Sequence, residues 1–202
     1  MLTNNDRLAR QLNFIIEIDR LKSIVRHAPL VDGSRRENSA EHSWHLAMMA
    51  LVLNEYAGEA LDVNHVVRLL LVHDIIEIDA GDTFAYDATG YLDKARREQR
   101  AADRLFGLLP DEQAAEFRAL WDEFEARATT EARFANAMDR LMPFLHNYLN
   151  NGGAWVEKGI GIAQVRRRIA PIAESSAELG RFVESLLADC LERGYIRREP
   201  EV

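Results

Sequence analysis

The sequence predicts an all-α protein, on three observations. Apolar residues recur mainly at spacings of three and four, the periodicity of a helix with one buried face. Strand-like alternation of apolar and polar residues is absent over any useful length. Gly and Pro number only 11 and 5 in 202 residues, and no internal repeat or low-complexity stretch marks a boundary. We therefore expect one domain over residues 1–202, a length that can bury a full core.

The apolar pattern divides the chain into eight expected helices, with the segment 26–38 as a loop because it contains Pro29 and Gly33. The helices are expected at about 4–25, 39–57, 63–79, 91–108, 110–127, 130–149, 159–174 and 176–193. The third helix is apolar around most of its circumference between Val66 and Val72. Such a helix is typical of the centre of a fold.

Composition limits the partners and the location. With 25 Lys plus Arg against 33 Asp plus Glu, the net charge is −8, which disfavours sequence-independent nucleic-acid binding. The longest apolar run, Leu46 to Leu53, is far shorter than the roughly 20 residues that span a bilayer, so no membrane partner is expected. The N-terminus is polar, without a signal-peptide core. The single cysteine, Cys190, excludes an internal disulfide and favours a cytoplasmic location.

Three ionisable residues, His73, Asp74 and Glu77, end the apolar third helix. In a helix, Glu77 is a neighbour of both His73 and Asp74, at spacings of four and three. His73 alone is equally well explained as an ordinary core histidine. Two buried carboxylates beside an imidazole, however, repel each other unless a cation compensates their charge. The group together therefore indicates a cation site.

Polar residues also lie on the inward faces of two other expected helices. His42 leads the apolar stripe of the second helix, which Ser39 is expected to cap. Asp139 lies near the inner stripe of the helix at 130–149. The local pattern alone favours a surface aspartate there, paired with Arg140 or Arg133.

Taken in order, these residues resemble the HD-domain metal-dependent phosphohydrolases. The family pattern is a lone His, a His-Asp pair about thirty residues later and a distant Asp, which are here His42, His73, Asp74 and Asp139. The segments Glu-Asn-x-x-Glu-His-Ser, His-Asp-x-x-Glu and Gly-Asp are similar to those of the bacterial 5′-deoxynucleotidase branch. The resemblance covers roughly residues 10–190 and implies an HD-domain helical bundle.

The resemblance implies a role for each matched residue. His42, His73, Asp74 and Asp139 would bind one divalent transition metal (Mn, Co, Fe, Ni or Zn), a ligand set that does not choose among them. Glu77 would orient or deprotonate the attacking water. Asp82 matches a further acidic residue of the family's site, with catalytic and substrate-binding roles implied, although a simple turn residue after Gly81 is the alternative. Arg26 matches the phosphate-binding arginine.

The segment before the His42 helix is rich in cations. Its basic residues are Arg20, Lys22, Arg26, Arg35 and Arg36, against Asp32 alone. Such a group suits phosphate capture, and an ordinary solvated loop is the alternative. Directly after Arg26, the family has a Trp that is tied to selection against ribose, and this chain has His27 at that position. The resemblance implies that His27 is a substrate-binding residue. Selectivity for deoxyribose therefore stays open.

The favoured function is a 5′-nucleotidase or 5′-deoxynucleotidase that releases phosphate from nucleoside 5′-monophosphates by metal-activated water. The alternative is an HD hydrolase acting on nucleoside triphosphates or alarmone nucleotides. A di-iron oxygenase is disfavoured because no histidine occurs between His73 and His146. A non-catalytic module would be expected to lose ligands, and this chain retains all four with Glu77. A homodimer is expected, as the commonest soluble oligomer and by resemblance.

Overall fold

The computed structural model, which describes residues 6–198, contains ten α-helices and one two-stranded sheet within that range. The elements are α1 (Arg7–Ile18), β1 (Val25–Pro29), β2 (Arg36–Asn38), α2 (Ser39–Leu53), α3 (Val63–Val72), α4 (Glu77–Ala80), α5 (Lys94–Phe106), α6 (Asp111–Ala126), α7 (Thr130–Leu149), α8 (Gly153–Lys158), α9 (Ile162–Ser175) and α10 (Ala177–Glu192). The all-α prediction is confirmed. No described helix has the combination of length and apolar character that crossing a membrane requires.

The first departure from the sequence prediction is a small β-hairpin. The first helix ends at Ile18 and a 3₁₀ turn follows at Asp19–Ser23, so the predicted extension to residue 25 is wrong. β1 and β2 pair antiparallel, with Val25 opposite Asn38, inside the segment predicted as a loop. These strands have five and three residues, too few for an alternating pattern to stand out.

The N-terminus of α2 is capped by Asn38, not by Ser39 as predicted. The Asn38 side chain accepts hydrogen bonds from the backbone N–H groups of Ala40 and Glu41, at 3.1 and 3.0 Å. The Glu41 carboxylate accepts from the N–H of Asn38 at 2.7 Å, which completes a capping box. The Ser39 side chain is therefore available for another contact, and it is buried.

The predicted helix at 63–79 is broken in two. α3 ends at Val72, and α4 begins at Glu77. Between them the backbone bonds run from residue i+3 to residue i, as from the Glu77 N–H to the Asp74 carbonyl at 3.0 Å. Side chains three residues apart are eclipsed in such a tight turn, so Asp74 and Glu77 share one face.

α3 and α7 occupy the centre of the fold, as the apolar circumference of the third predicted helix indicated. Fully buried apolar side chains come from both: Val66, Leu69, Leu70, Phe134 and Met138. α2 and α6 pack on α3, while α9 packs on α7. The stripe of α10 packs on α9, with Leu179, Val183 and Leu187 buried inside the chain. The core therefore brings α2, the turn after α3 and α7 together.

Candidate active site

A cavity of about 360 Å³ opens where β1, the turn after α3 and α7 meet. Seven of the eight site residues named from the sequence line it: Arg26, His27, His73, Asp74, Glu77, Asp82 and Asp139. The eighth, His42, lies behind Asp139 and touches it. The structure thus brings residues from four separate segments of the sequence to one place.

Two histidines and two aspartates converge at the floor of this cavity. Nε2 of His42 lies 3.2 Å from Oδ1 of Asp139. Nε2 of His73 lies 3.0 Å from Oδ1 of Asp74 and 4.0 Å from Oδ1 of Asp139. One ligand atom each of His42, His73 and Asp139 falls within 4.8 Å of the others. Asp139 is only 8% exposed, so its interpretation as a surface aspartate is wrong.

The hydrogen bonds of His73 fix which of its nitrogens is available. Nδ1 donates to the carbonyl of Leu70 at 2.7 Å. Nε2 is buried and has no hydrogen-bond partner among residues 6–198, although the carboxylates of Asp74 and Asp139 face it. A lone pair that faces two carboxylates is unfavourable unless a proton or a cation lies between them. Imidazole nitrogen with carboxylate oxygen suits a divalent transition metal, so the residues present fit that group.

Arg26 is buried against the same carboxylates. Its Nη1 donates to Oδ2 of Asp74 at 2.6 Å and lies 3.6 Å from Oε1 of Glu77. Its Nη2 lies 3.8 Å from Oδ1 of Asp139. Burial acts to lower the pKa of Arg26, but the surrounding carboxylates, Asp74 first, more than offset this and raise it. The guanidinium therefore stays charged beside the cavity.

The same neighbours shift the acidity of the converging groups. Burial acts to raise the pKa of the Asp74 carboxyl, but the charges of His73 and Arg26 hold it well below its usual range. For Asp139, burial is likewise overcome by the hydrogen bond from His42 and by the charge of Arg168, and its pKa is lowered. Burial acts to lower the pKa of His73, but Asp74 outweighs burial and raises this pKa to about 9. Both aspartates are thus ionised, as metal ligands must be.

The carboxyl group of Glu77 differs from those of Asp74 and Asp139 in the direction of its pKa shift. Burial and the negative charge of Asp74 raise its pKa to about 8. Its Oε2 accepts a hydrogen bond from Oγ of Ser39 at 2.6 Å, which is the contact left open by the Asn38 cap. A carboxyl that gains or loses its proton near neutral pH is suited to general acid–base work.

Asp82 and His27 both line the cavity. Asp82 belongs to the loop after α4, where Gly81 ends the helix at φ 74°. Arg97 holds this loop by donating to Oγ1 of Thr83 at 3.2 Å and to the carbonyl of Gly90 at 3.0 Å. The ring of His27 packs on Phe84 with centroids 4.8 Å apart.

The cationic segment at 20–36 does not act as a group. Arg20 pairs with Glu17 and Lys22 with Asp19, each three residues away. Arg35 pairs with Glu41, and Arg36 lies 3.6 Å from Glu157. Only Arg26 reaches the cavity, because its position in β1 points inward.

Three further residues reach the site, although the sequence did not indicate that they would. Glu37 bonds Nδ1 of His42 at 2.9 Å, and Ser39 bonds Glu77. Nη2 of Arg168, on α9, lies 3.6 Å from Oδ2 of Asp139. The position of Glu37, just before the capped helix and five residues from His42, was the one available signal. Nothing in the local sequence of α9 pointed to Arg168.

The chain resembles proteins of known family. The sequence model of the HD domain matches residues 18–179. The 5′-deoxynucleotidase HDDC2 of Bos taurus is 34% identical over 140 residues, covering 68% of this chain and 67% of the relative. The human HDDC2 is 32% identical, over 64% of this chain and 62% of that protein. The chain thus spans about two thirds of the length of these relatives.

Solved structures agree with this likeness. A crystal structure of a predicted metal-dependent phosphohydrolase from Magnetospirillum magnetotacticum is 53% identical, with a TM-score of 0.90 over 94% of this chain and 95% of that one. A protein from Pyrococcus furiosus, 20% identical with a TM-score of 0.61 over 90% of this chain and 99% of that one, shares the fold.

Proposed function

The chain belongs to the HD-domain family, and from that premise we propose that it is a metal-dependent phosphohydrolase that releases phosphate from nucleoside 5′-monophosphates. One observation carries the proposal. The unpartnered Nε2 of His73 faces Asp74 and Asp139 in a cavity that also contains a buried guanidinium. This combination offers a place for a cation and, directly beside it, for a phosphate.

The proposed metal ligands are His42, His73, Asp74 and Asp139, with one metal per chain. A bound divalent metal would lower the pKa of a water molecule and withdraw charge from the phosphoryl group. Glu37, His45 and His146 form a second group of ligand atoms within 4.8 Å of one another. We favour the first group because Glu37 is already bonded to His42.

Arg26 is proposed to hold the phosphate of the substrate. Its guanidinium lies within 4.0 Å of four carboxylates, so it carries charge at the wall of the cavity. A planar guanidinium can donate two parallel hydrogen bonds to phosphate oxygens, which fixes the orientation of the phosphate as well as its position. Asp82, which also lines the cavity, is proposed to contact the nucleotide.

Glu77 is proposed to accept the proton of the attacking water. The carboxyl lies on the same face as Asp74, and the hydroxyl of Ser39 holds one of its oxygens. Within the described part of the chain, the other oxygen, Oε1, has only the long contact to Arg26 at 3.6 Å, so it is available to the water. Water attacks phosphorus, the bond from phosphorus to the 5′-oxygen of the nucleoside breaks, and the proton that Glu77 takes from the water is returned to that oxygen, which gives phosphate and a nucleoside.

The substrate class follows from the relatives and from the cavity. Relatives at 31 to 34% identity, HDDC2 of Bos taurus and YfbR of Salmonella arizonae among them, carry the name 5′-deoxynucleotidase. A volume of about 360 Å³ suits a ligand of nucleotide size. The ranking of deoxyribose against ribose is proposed to depend on His27, which lines the cavity. The second candidate, hydrolysis of triphosphates or alarmones, is favoured by no separate contact in the cavity.

We also propose a homodimer and a cytoplasmic location. A row of apolar side chains on α1, Leu8, Leu12, Ile15 and Ile16, is exposed and supports an interface there. The buried Cys190 supports a reducing compartment. Light scattering that gives a monomer at micromolar concentration would remove the dimer.

The function is tested by a phosphate-release screen over ribo- and deoxyribonucleoside 5′-monophosphates, with triphosphates included. The protein is stripped with a chelator and then supplied with Mn, Co, Fe, Ni or Zn in separate assays. We expect no release without metal and release from monophosphates with at least one metal. Release from triphosphates alone would favour the second candidate instead.

A further inference from the structure

A second cavity, of about 460 Å³, opens beside the active-site cavity. The two cavities share six lining residues, so they are continuous: Ala85, Tyr86, Tyr91, Arg127, Arg140 and Arg168. Arg167 joins the three arginines in the second cavity, and Asp87 is the one carboxylate that lines it. A ligand in the first cavity can therefore extend into a strongly cationic space.

Carboxylates are scarce around the four arginines, because Arg140 and Arg168 share a single one, Asp139. Within residues 6–198, no carboxylate oxygen lies within 4.0 Å of a side-chain nitrogen of Arg127 or Arg167. Arg140 is only 6% exposed, and the carboxylate nearest to it is Oδ2 of Asp139 at 3.9 Å. Arg168 has the same partner at 3.6 Å. A carboxylate oxygen of Asp87 accepts the backbone N–H of Thr89 at 3.0 Å.

Arg127 and Arg167 are exposed to solvent, but the buried Arg140 and the half-buried Arg168 share one carboxylate, so an added anion is favourable beside them. Phosphate is the anion that best matches several guanidinium forks at once. Arg140 and Arg168 also contact Asp139, a proposed ligand of the metal, so an anion bound by them lies directly next to the reaction. The hydroxyl and ring of Tyr86 and the ring of Tyr91 line the passage between the two cavities. Aromatic rings of this kind pack well against a sugar or base.

We propose that the second cavity binds a further phosphate, one that belongs to the leaving group of the substrate. The preferred substrates are then nucleotides with two phosphate groups. This proposal rests on the proposed function. The further phosphate comes from one of two sources, a phosphate on the 3′-hydroxyl of the sugar or the inner phosphate of a 5′-diphosphate. In both cases water attacks the phosphoryl group at the metal, the bond from phosphorus to the leaving oxygen breaks, and the further phosphate stays on the product.

The test compares phosphate release from dAMP, deoxyadenosine 3′,5′-bisphosphate and dADP by the metal-loaded protein. We expect kcat/KM for one of the doubly phosphorylated compounds to exceed that for dAMP by roughly tenfold or more, the contribution of at least one charge-assisted hydrogen bond. Preference for the bisphosphate identifies the sugar phosphate, and preference for dADP identifies the diphosphate. Equal kcat/KM for all three compounds would overturn the proposal.

Two variants and a matched control assign the effect to the cavity. Arg167→Gln and Arg127→Gln should each lower the ratio of kcat/KM values, doubly phosphorylated over dAMP, by roughly tenfold. Arg166→Gln is the control. Arg166 lies on α9 next to Arg167, but its side chain is 3.6 Å from Glu184 and does not line the cavity. An unchanged ratio in both test variants would contradict the assignment.

A binding measurement keeps the test independent of turnover. Deoxyadenosine 3′-monophosphate and deoxyadenosine 5′-monophosphate are titrated calorimetrically into the unmutated protein and into Arg167→Gln. Weaker binding of at least one of these monophosphates to the variant supports the subsite, and equal binding of both overturns it. If no compound releases phosphate, the proposed function fails while this titration still decides the subsite. If dAMP is hydrolysed but no preference is found, only the subsite fails.

Discussion

The carboxylate of Glu37 lies 2.9 Å from Nδ1 of His42, on the opposite edge of the imidazole from the Nε2 that faces Asp139. Both ring nitrogens face a carboxylate oxygen, so either can carry the hydrogen; in the form in which Nδ1 donates to Glu37, Nε2 keeps its lone pair for a metal. Carboxylate–histidine–metal arrangements of this kind orient the ring and raise its basicity. We therefore propose that Glu37 prepares His42 for metal binding without being a ligand itself.

Replacing Glu37 tests this arrangement. Glu37→Gln should lower the affinity for the metal by roughly 10- to 100-fold, the usual effect of losing such a partner. The measurement is a competition titration of the stripped protein against a chelating dye. Glu41→Gln is the matched control, because Glu41 lies in the same segment but bonds Arg35 and the Asn38 backbone. Equal affinities in the two variants would show that Glu37 does not prepare the ligand.

Glu77 should be needed for turnover and not for metal binding. Glu77→Gln keeps the size of the side chain and a partner for Ser39, but it cannot take up a proton from water. We expect kcat to fall by about 10²- to 10⁴-fold, the typical contribution of general acid–base catalysis. Metal content, measured by elemental analysis, should remain that of the unmutated protein. Full turnover in this variant would assign the proton to another group.

Arg26 should act on substrate binding. Arg26→Gln removes the proposed phosphate contact, so KM for dAMP should rise by at least about tenfold, as expected for one charge-assisted hydrogen bond. Because Arg26 also compensates buried carboxylates, the melting temperature should fall as well. Arg20→Gln serves as the control, since Arg20 is exposed and pairs with Glu17. If the variant is less stable but keeps the original KM, Arg26 has a structural role and does not bind the substrate.

His27 should influence the choice between sugars. Its ring packs on Phe84 at the wall of the cavity, where a larger ring would narrow the space. We expect the unmutated protein to hydrolyse AMP as well as dAMP, and His27→Trp to raise the ratio of kcat/KM for dAMP over AMP. Steady-state phosphate release from the two nucleotides gives this ratio. Complete rejection of AMP by the unmutated protein would refute the role assigned to His27.

Periodicity was sufficient to predict the helical class and the central α3, because the apolar residues between Val66 and Val72 surround that helix. It could not reveal the break after Val72, since a 3₁₀ turn nearly preserves the apolar spacing. The hairpin was missed because β2 has only three residues, one of them the buried Glu37. From the sequence alone, charged residues are predicted at the surface, and the partners of the buried ones are distant in the chain. Arg168, 29 residues beyond Asp139, shows this most clearly.

We propose above that a metal bound by His42, His73, Asp74 and Asp139 drives phosphate release. Asp74→Asn tests it most directly, because an amide is a far poorer ligand than a carboxylate for a divalent ion. Asp79→Asn is the control, since Asp79 is a carboxylate of the same segment that pairs with Arg104. Metal content and phosphate release from dAMP are measured together on both purified proteins. We predict that Asp74→Asn loses both while Asp79→Asn keeps one metal per chain and its activity. Full metal content with full activity in Asp74→Asn would contradict the proposed metal site.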